Sequence, residues 1–272
     1  MWPPGSPAGG PGFELLRTYV TDYVFYDLTG WREGFHRGLP DGTATLVVDF
    51  AGRLAVRGRT EATADAVVGG LTTEAVEIAL DGPHYGAQVS MTPLGARAML
   101  GATAGELDGS VWALGDLVGR RAGSLHDRVA SASPARRAAV LAEALQEWVD
   151  PAVRPGLADA AWARVREAHG CVRVESLAAQ FGVTRRYLSQ VMAADLGISP
   201  KTLARVFRFA RARHLLRSGR ARSLAEAAVL CGYYDQAHLN RDWKLLGGAT
   251  PGDWLRDEFP FLQDGALSGP AH

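Results

Sequence analysis

The fold of the C-terminal part is decided by two similar stretches, Leu177-Ala-Ala-Gln-Phe-Gly182 and Ala227-Ala-Val-Leu-Cys-Gly232. In both stretches an alanine stands four residues before the glycine, and the two glycines are 50 residues apart. Further matches follow in the same order at an offset of 51: Tyr187–Gln190 with His238–Arg241, Gly197 with Gly248, and Pro200 with Pro251. So many corresponding positions in one order indicate an internal repeat.

Each repeat unit is predicted to be a helix-turn-helix. The small alanine lets a second helix approach the first closely, and Gly182 or Gly232 supplies the left-handed residue that ends the first helix. Thr184 and Asp235 are suited to cap the second helices. In such a motif the second helix lies in the major groove of DNA, with its N-terminal side chains near the base edges.

The predicted second helices carry side chains that suit the reading of bases. Arginine pairs well with guanine, and asparagine or glutamine pairs well with adenine. We therefore predict that these side chains contact operator DNA. They are Arg185 and Arg186 in the first unit, and Gln236, His238, Asn240 and Arg241 in the second.

A helix over Lys201–Arg217 is predicted to join the two units, because its apolar residues recur at the helical period. At 1.5 Å per residue it spans about 25 Å, which suits two recognition helices placed about one DNA turn apart. Four arginines lie on or beside this helix, and contact with DNA phosphates and ordinary solvation are equally good interpretations for each: Arg205, Arg208, Arg211 and Arg213.

The stretch from Cys171 to Trp254 resembles the DNA-binding domain of the AraC/XylS family of transcription regulators. Four local signatures carry the resemblance: Leu177–Thr184, Leu196–Pro200, Ala228–Tyr233 and Gly248–Pro251. It implies a bipartite domain that reads two successive major-groove segments. The side chains that it places towards the bases are Arg186, Ser189 and Gln190 in the first unit, and Gln236, His238, Asn240 and Arg241 in the second.

Two details depart from the family's pattern. Tyr233-Tyr234 stands where Phe-Ser is more usual, and Leu239 stands where an aromatic residue is common. We interpret both as a repacked core with bulk from Trp243. They bear on which sequence is preferred rather than on whether DNA is bound.

The N-terminal part has the pattern of short strands between Leu15 and Met91. The clearest runs are Thr43–Phe50, Arg53–Val56, Val67–Leu71, Val76–Leu80 and Tyr85–Met91. Ala51-Gly52 is predicted to be the turn of a hairpin between the first two runs. Strands at this spacing favour a small barrel or sandwich. Arg37–Asp49 and Met91–Gly101 resemble segments of the β-rich sensor domains attached to many such regulators, which implies effector binding, dimerisation or both.

Helical patterns follow these strands. Pro93–Leu100 is predicted to be a short helix, Ser133 to cap a helix that begins at Pro134, and Leu157–Ala168 to be a helix that ends at Gly170. The apolar stripe of the middle helix fits either the intramolecular core or a dimer interface, and we favour the core. That stripe consists of Leu141, Leu145 and Trp148.

The predicted fold class is α+β, with an N-terminal β-rich, barrel- or sandwich-like domain that also contains helices, followed by an all-α domain of two helix-turn-helix units and a linker helix. The predicted domains are residues 13–150 and 157–258, because residues 150–156 hold two prolines and a glycine. A chain of 272 residues, 47% apolar and 21% charged, is long enough for two such domains.

The net charge of zero conceals an asymmetry between the two parts. Residues 1–170 hold 15 Lys and Arg against 20 Asp and Glu, whereas residues 171–256 hold 14 against 6. A basic segment attached to an acidic one favours binding of a polyanion by the basic segment.

The chemistry of an enzyme is missing from the sequence. Its seven histidines are scattered without a His-x-His pattern, and no nucleophile elbow, P-loop or dinucleotide fingerprint occurs. We predict no enzymatic activity, no metal and no cofactor. Cys171 and Cys231 are too few for a disulfide framework, and structural thiols are favoured over redox sensors.

Candidates for an effector site are aromatic or polar residues of the β-rich segment, although core or surface positions are the simpler interpretation for each. They are Trp31, His36, Arg37, Tyr85 and Met91. Asp41 is most simply a turn residue beside Gly42.

The sequence as a whole predicts a cytoplasmic, sequence-specific transcription regulator that binds a double-stranded DNA operator. Further expected partners are a small-molecule effector, a second copy of the chain, and RNA polymerase if the protein is an activator. No membrane partner is expected, since apolar stretches are far shorter than the ~20 residues that span a bilayer and no secretion signal opens the chain. The alternatives are an enzyme that the C-terminal part tethers to DNA and an architectural DNA-binding protein without a sensor.

Overall fold

The computed structural model describes residues 6–7, 12–29 and 34–258. Within these residues, ten strands form two antiparallel sheets. The strands are β1 (Ser6–Pro7), β2 (Val20–Asp27), β3 (Gly34–Gly38), β4 (Ala44–Asp49), β5 (Leu54–Arg57), β6 (Glu61–Ala64), β7 (Ala66–Gly69), β8 (Val76–Leu80), β9 (Tyr85–Met91) and β10 (Val111–Ala113).

The two sheets confirm the predicted β-rich N-terminal part. The larger sheet has the order β1-β2-β9-β4-β7-β10, and the smaller has the order β3-β8-β5-β6. Apolar side chains of both sheets meet in a cluster that includes Val47 and Val67 from the larger sheet and Val56 and Ile78 from the smaller one. This apolar filling between two antiparallel sheets is the arrangement of a β-sandwich.

The predicted hairpin at Ala51-Gly52 is wrong. β4 pairs with β7 and β9 in the larger sheet, whereas β5 pairs with β6 and β8 in the smaller one. The buried Asp49 explains the change of sheet, because its Oδ1 accepts the backbone N–H groups of Ala51 (2.9 Å) and Gly52 (3.1 Å). These two bonds hold the chain in a turn that leaves the first sheet.

Eleven α-helices follow β9 along the described part of the chain, with β10 between the first two. They are α1 (Pro93–Leu100), α2 (Leu114–Val118), α3 (Arg121–Ala130), α4 (Arg137–Trp148), α5 (Leu157–Glu167), α6 (Val174–Gln180), α7 (Arg185–Leu196), α8 (Pro200–Arg217), α9 (Leu224–Leu230), α10 (Gln236–Gly247) and α11 (Pro251–Glu258), after a short 3-10 helix at Glu14–Leu16. The predicted α+β fold class is thereby confirmed. The domain limits at 150 and 157 stay a prediction.

Two of the three predicted helices between the sheets and the first repeat agree with the structure, and the third begins later than predicted. α1 begins and ends where the sequence places it, with Thr92 as its N-cap. α5 also agrees, and Gly170 adopts the expected left-handed conformation. α4 starts at Arg137, three residues after Pro134, because the carbonyl oxygen of Ser133 accepts the N–H groups of Arg136 and Arg137 in a preceding turn.

The apolar stripe of α4 belongs to the core. Leu141 and Leu145 are fully buried and Trp148 is 7% exposed, in the same cluster as the interior of the larger sheet. This cluster, called the large core below, continues through α5, α6 and α7 to the first half of α8. The choice of core over dimer interface is therefore confirmed for this stripe.

The internal repeat is confirmed as two helix-turn-helix units, which we call the first unit (α6 and α7) and the second unit (α9 and α10). Gly182 and Gly232 both have positive φ, of 65° and 70°. Thr184 Oγ1 accepts the N–H of Tyr187, and Asp235 Oδ1 accepts the N–H of His238. The same glycine and cap chemistry thus builds both turns.

One carboxylate on β2 is at odds with its surroundings. Asp22 Oδ1 is buried and has no hydrogen-bond partner among the described residues. Burial, the largest effect, and the negative charge of Asp41 raise the pKa of Asp22 from 3.8 to about 6, against the opposing effects of the Tyr23 N–H and Arg166. Between these two pH values the folded protein therefore holds a proton that the unfolded chain has lost.

We expect Asp22→Asn to stabilise the protein above pH 6, by on the order of 1 kcal/mol after allowance for solvent screening. The unfolded carboxyl ionises near 3.8 and the folded one near 6, so the native stability falls as the pH rises between these values. The gain from asparagine is absent at pH 4 and complete at pH 8, as urea unfolding at both pH values checks. Glu74→Gln, at an exposed position, serves as the control; a gain at pH 8 that persists at pH 4 contradicts the titration of Asp22.

Candidate nucleic-acid interface and an adjacent cavity

The first recognition helix, α7, divides into a buried face and an exposed face. Leu188 and Met192 are fully buried in the large core. Arg186, Ser189 and Gln190 share another face because they are spaced at i, i+3 and i+4. Arg186 and Gln190 are exposed and Ser189 is half-buried, so this face is available to a ligand as large as DNA.

Arg185 lies at the flank of this face and already has a partner. Its Nη1 donates to Glu175 Oε1 of α6 at 2.5 Å, and both side chains remain more than half exposed. The ion pair joins the two helices of the first unit. Any contact of Arg185 with DNA therefore competes with Glu175.

On the second recognition helix, α10, the structure separates the predicted residues into two pairs. Gln236 and Arg241 are exposed. His238 is half-buried, its Nδ1 accepts the N–H of Tyr234 at 3.5 Å, and its ring meets the ring of Tyr233 edge-on. Asn240 is also half-buried, and its Oδ1 is buried without a hydrogen-bond partner among the described residues. His238 and Asn240 are thus directed partly towards the protein.

Two further positions on α10 were missed by inspection of residue types. At the offset of 51, Ala237 corresponds to Arg186, and Lys244 follows Arg241 by three residues on the same helix face. Both are exposed on the face that carries Arg241. An alanine on that face offers only a methyl group, which suits contact with the methyl group of thymine.

Several α8 arginines have roles inside the protein. Arg205 donates to Asp242 Oδ1 on α10 through Nη2 (2.7 Å) and Nε (3.2 Å), and this hydrogen bonding raises the pKa of Arg205. Arg208 stacks on the ring of Tyr233 and donates to the carbonyl oxygen of Gly170. The two arginines therefore attach α8 to the second unit.

A cavity of about 200 Å³ lies between the two sheets and reaches the helical region. Its apolar walls are the valine and isoleucine side chains Val47, Val56, Val67, Val76, Ile78 and Val111. Polar and charged groups gather at the other side, where strand β3 and its following loop meet α8 and α11: His36, Arg37, Asp41, Arg213 and Arg217, with Trp254 beside them. An apolar chamber with a basic side suits an amphipathic organic anion.

His36 is a neutral part of this basic side. Burial, followed by the positive charges of Arg213 and Arg217, lowers its pKa to about 4. At neutral pH the imidazole therefore adds hydrogen-bonding capacity and no charge. Asp41 has the predicted turn role, since its Oδ1 accepts both the N–H and the hydroxyl of Thr43.

Of the five effector-site candidates, two line the cavity and two lie elsewhere in the structure. His36 and Arg37 line the cavity. Tyr85 lies elsewhere, against Phe50 and under Arg137, and Met91 is fully buried in the large core. The strand pattern of β9 shows only which side chains share a face of the sheet. It does not show what packs against that face, because those neighbours come from elements distant in sequence. Trp31 lies outside the described residues.

Other chemistry among the described residues is sparse. Cys231 is buried, which raises the pKa of its thiol to about 11, and Cys171 donates a weak bond to the carbonyl oxygen of Cys231. No group of three or more His, Cys, Asp or Glu side chains in residues 12–29 and 34–258 is arranged to hold a metal ion. No helix in the described part of the chain is long and apolar enough to cross a bilayer.

The sequence and the fold were compared with known proteins. Residues 177–257 match a family described as a helix-turn-helix domain. No curated protein matches the chain by sequence. The fold is similar to that of ToxT from Vibrio cholerae O395, with a TM-score of 0.52 and 8% identity over 88% of this chain and 97% of that chain.

Two further structures of the same regulator share this fold. Unsaturated fatty acid-bound ToxT from Vibrio cholerae strain SCE256 has a TM-score of 0.51 and 11% identity, over 86% of this chain and 94% of that one. ToxT from strain O395 bound to (E)-4-(8-methylnaphthalen-1-yl)but-3-enoic acid has a TM-score of 0.52 and 10% identity, over 86% and 97%. At such identities the likeness concerns the fold alone.

The C-terminal region is a helix-turn-helix domain of the AraC type, as the resemblance implied. It follows a β-rich part of two antiparallel sheets in a fold shared with ToxT. The helix-turn-helix domain supports DNA binding by this region.

We expect Asp242→Asn to destabilise the protein by about 1–3 kcal/mol, because it leaves the partly buried Arg205 guanidinium without a counter-ion. Chemical unfolding at neutral pH measures the loss. Glu175→Gln removes the exposed partner of Arg185 and should cost much less, because solvent screens that ion pair. Equal losses in the two variants would show that burial of the Arg205–Asp242 pair has no energetic consequence.

Proposed function

We propose that this protein is an effector-responsive, sequence-specific transcription regulator that reads two successive major-groove segments of its operator. The observation that carries the proposal is the pair of exposed recognition-helix faces, on α7 and α10, which one helix, α8, joins to each other and to the cavity. α8 thus contacts both recognition helices and also lines the cavity.

DNA binding is expected to combine attraction and reading. The basic C-terminal segment attracts phosphates without regard to sequence. Arg186 and Gln190 on α7, and Gln236 and Arg241 on α10, are the side chains that we expect to read base edges. Ser189, Arg185, His238 and Asn240 are proposed to act in supporting contacts, since each is half-buried or already bonded within the protein.

The proposed effector is an organic acid with an apolar tail. The valine-lined chamber accommodates the tail, and the side with Arg37, Arg213 and Arg217 offers charge-assisted hydrogen bonds to a carboxylate. The similar structures support this class, because ToxT was crystallised with an unsaturated fatty acid and with a substituted butenoic acid.

The remaining partners are part of the same proposal. The further expected partners are a second copy of the chain and, if the protein is an activator, RNA polymerase. The protein is proposed to act without catalysis and in the cytoplasm.

The DNA-reading part is tested by Arg186→Ala and Arg241→Ala on a selected operator. Each should cost about 1–3 kcal/mol of binding free energy and relax the preference at one base pair, because a bidentate contact to guanine is lost. Electrophoretic mobility shifts on a panel of single-base operator variants measure both quantities. Lys201→Ala, on the exposed start of α8, is the control. An equal loss on every sequence would assign the arginine to phosphate instead.

The effector part is tested with decanoate as the probe. We expect Arg213→Ala to weaken decanoate binding about tenfold or more, because one charge-assisted hydrogen bond is removed. Arg211→Ala provides a matched control, since Arg211 lies on the same helix but does not line the cavity. Fluorescence titration measures binding, with Trp254 as a reporter at the cavity wall. Equal affinities of the two variants would exclude this site for the acid.

A further inference from the structure

We infer that an effector in the cavity moves the second helix-turn-helix unit, while the first unit stays fixed to the β-rich part. The inference rests on the proposed function, and it concerns the route by which the ligand site acts on DNA binding. It follows from how unequally the two units are attached to the sheets.

The first unit shares its interior with the β-rich part. Leu177 of α6 and Leu188 and Met192 of α7 belong to the same large core as Leu46 and Val89 of the larger sheet. This shared apolar burial holds the two parts together, because separating them would expose side chains of each to water. The first unit and the sheets are therefore expected to move as one body.

A direct backbone contact strengthens this attachment at the recognition helix itself. The N–H of Gly105, in the segment between α1 and β10, donates to the carbonyl oxygen of Asp195 in the last turn of α7 at 2.9 Å. A Cβ at position 105 would lie 2.5 Å from the carbonyl oxygen of Ala194. Only glycine allows the loop to approach α7 this closely.

The helix before the first unit is held by two more contacts. Trp162 of α5 donates its indole N–H to the carbonyl oxygen of Gly42 at 2.7 Å, in a buried position. Asp159 of α5 pairs with Arg97 of α1 at 2.7 Å, with both side chains mostly buried. Contacts of this kind are costly to break because the separated groups would stay partly buried.

The second unit has a core of its own, which we call the second core. It includes Phe209 of α8, Leu239 and Trp243 of α10, and Trp254 of α11. α8 belongs to both cores, because one of its faces contributes Leu203, Ala204 and Phe207 to the large core. Another face contributes Val206, Phe209 and Ala212 to the second core. The boundary between the two bodies therefore runs along α8, between these two faces.

The cavity lies on this boundary. Its walls from the sheets belong to the fixed body, whereas Arg213, Arg217 and Trp254 belong to the second half of α8 and to α11. Leu39, from the loop after β3, also packs against the second core. A ligand that fills the cavity consequently displaces the second body, while α7 keeps its bond to Gly105 and α5 keeps its bond to Gly42.

A small displacement of the second body has a large effect on DNA binding. The two recognition helices must enter major-groove segments about one helical turn apart, so their separation and relative angle decide whether both fit. Sliding of one packed body against another is a common form of ligand-driven switching.

The cavity-filling variant Gly69→Phe tests the inference without a known effector. Gly69 lines the cavity, and a Cβ there would have no atom within 4 Å, so the ring has room to enter. Gly52→Phe is the matched control, because that position is also open but lies in an exposed turn. Thr45→Leu, on the neighbouring strand of the cavity wall, is a milder filling if Gly69→Phe folds poorly.

Hydrogen exchange of the full chain is the first readout. In Gly69→Phe we expect changed amide exchange in α9, α10, α11 and the end of α8, and unchanged exchange in α6 and α7. Gly52→Phe should change neither region. Equal changes in both units, or none in the second, would overturn the inference.

Binding to half-site variants of the operator is the second readout. Gly69→Phe should change the affinity for the intact operator about fivefold or more, and the change should vanish when the half-site read by α10 is scrambled. It should persist when the half-site read by α7 is scrambled, and the reverse pattern would overturn the inference. If decanoate does not bind but Gly69→Phe acts on the second unit alone, the effector class is wrong and the inference stands.

Discussion

The buried hydrogen bond from the indole of Trp162 to the carbonyl oxygen of Gly42 is the contact on which the arrangement of the two parts depends. Gly42 has a φ of +83°, and a Cβ at this position would lie 2.8 Å from the ring of Phe207. Only glycine satisfies both conditions. The loop from Leu39 to Thr43 is therefore pinned between α5 and α8, and the same loop forms part of the cavity wall.

From this contact the unequal attachment of the two helix-turn-helix units follows. α5 and the first half of α8 are drawn onto the sheets, and the first unit, packed on α5, goes with them. The second unit begins beyond the point where α8 leaves the large core, and it must bury its own apolar residues around Trp243. The two units have similar turns and caps, but their tertiary contacts differ. The first unit is therefore attached to the sheets, and the second unit is attached mainly to its own core.

Residues that act locally were sufficient to predict the two helix-turn-helix units. Glycine at the turn and Thr184 or Asp235 at the cap act through bonds within a few residues, so their effect is visible in the sequence. α1 and α5 were predictable for the same reason. By contrast, the turn at Ala51-Gly52 joins different sheets because of which strands lie beside β4, and no local pattern encodes those neighbours.

The site was predictable only in part, for a related reason. Residue type identifies Arg186 and Arg241 as suitable readers of bases, but it also selects His238, which contacts the turn before α10, and Asn240, whose Oδ1 is buried. The repeat register adds Ala237, and helical spacing adds Lys244; residue type alone passes over both. The cavity needs both sheets, α8 and α11 at once, and hence His36 and Arg37 could be distinguished from Tyr85 and Met91 only in the folded chain.

The charge of the C-terminal segment illustrates the same limit. Its excess of basic residues predicts attraction to DNA, yet Arg205 neutralises the buried Asp242, Arg208 stacks on Tyr233, and Arg213 and Arg217 line the cavity. Arginine suits all three tasks because its planar, delocalised guanidinium tolerates partial burial better than an ammonium group. The electrostatic field that draws DNA in is thus produced partly by side chains that never touch it. An anion bound beside Arg213 and Arg217 would therefore reduce that field as well as displace the second unit, so that ligand charge and ligand shape act on DNA binding together.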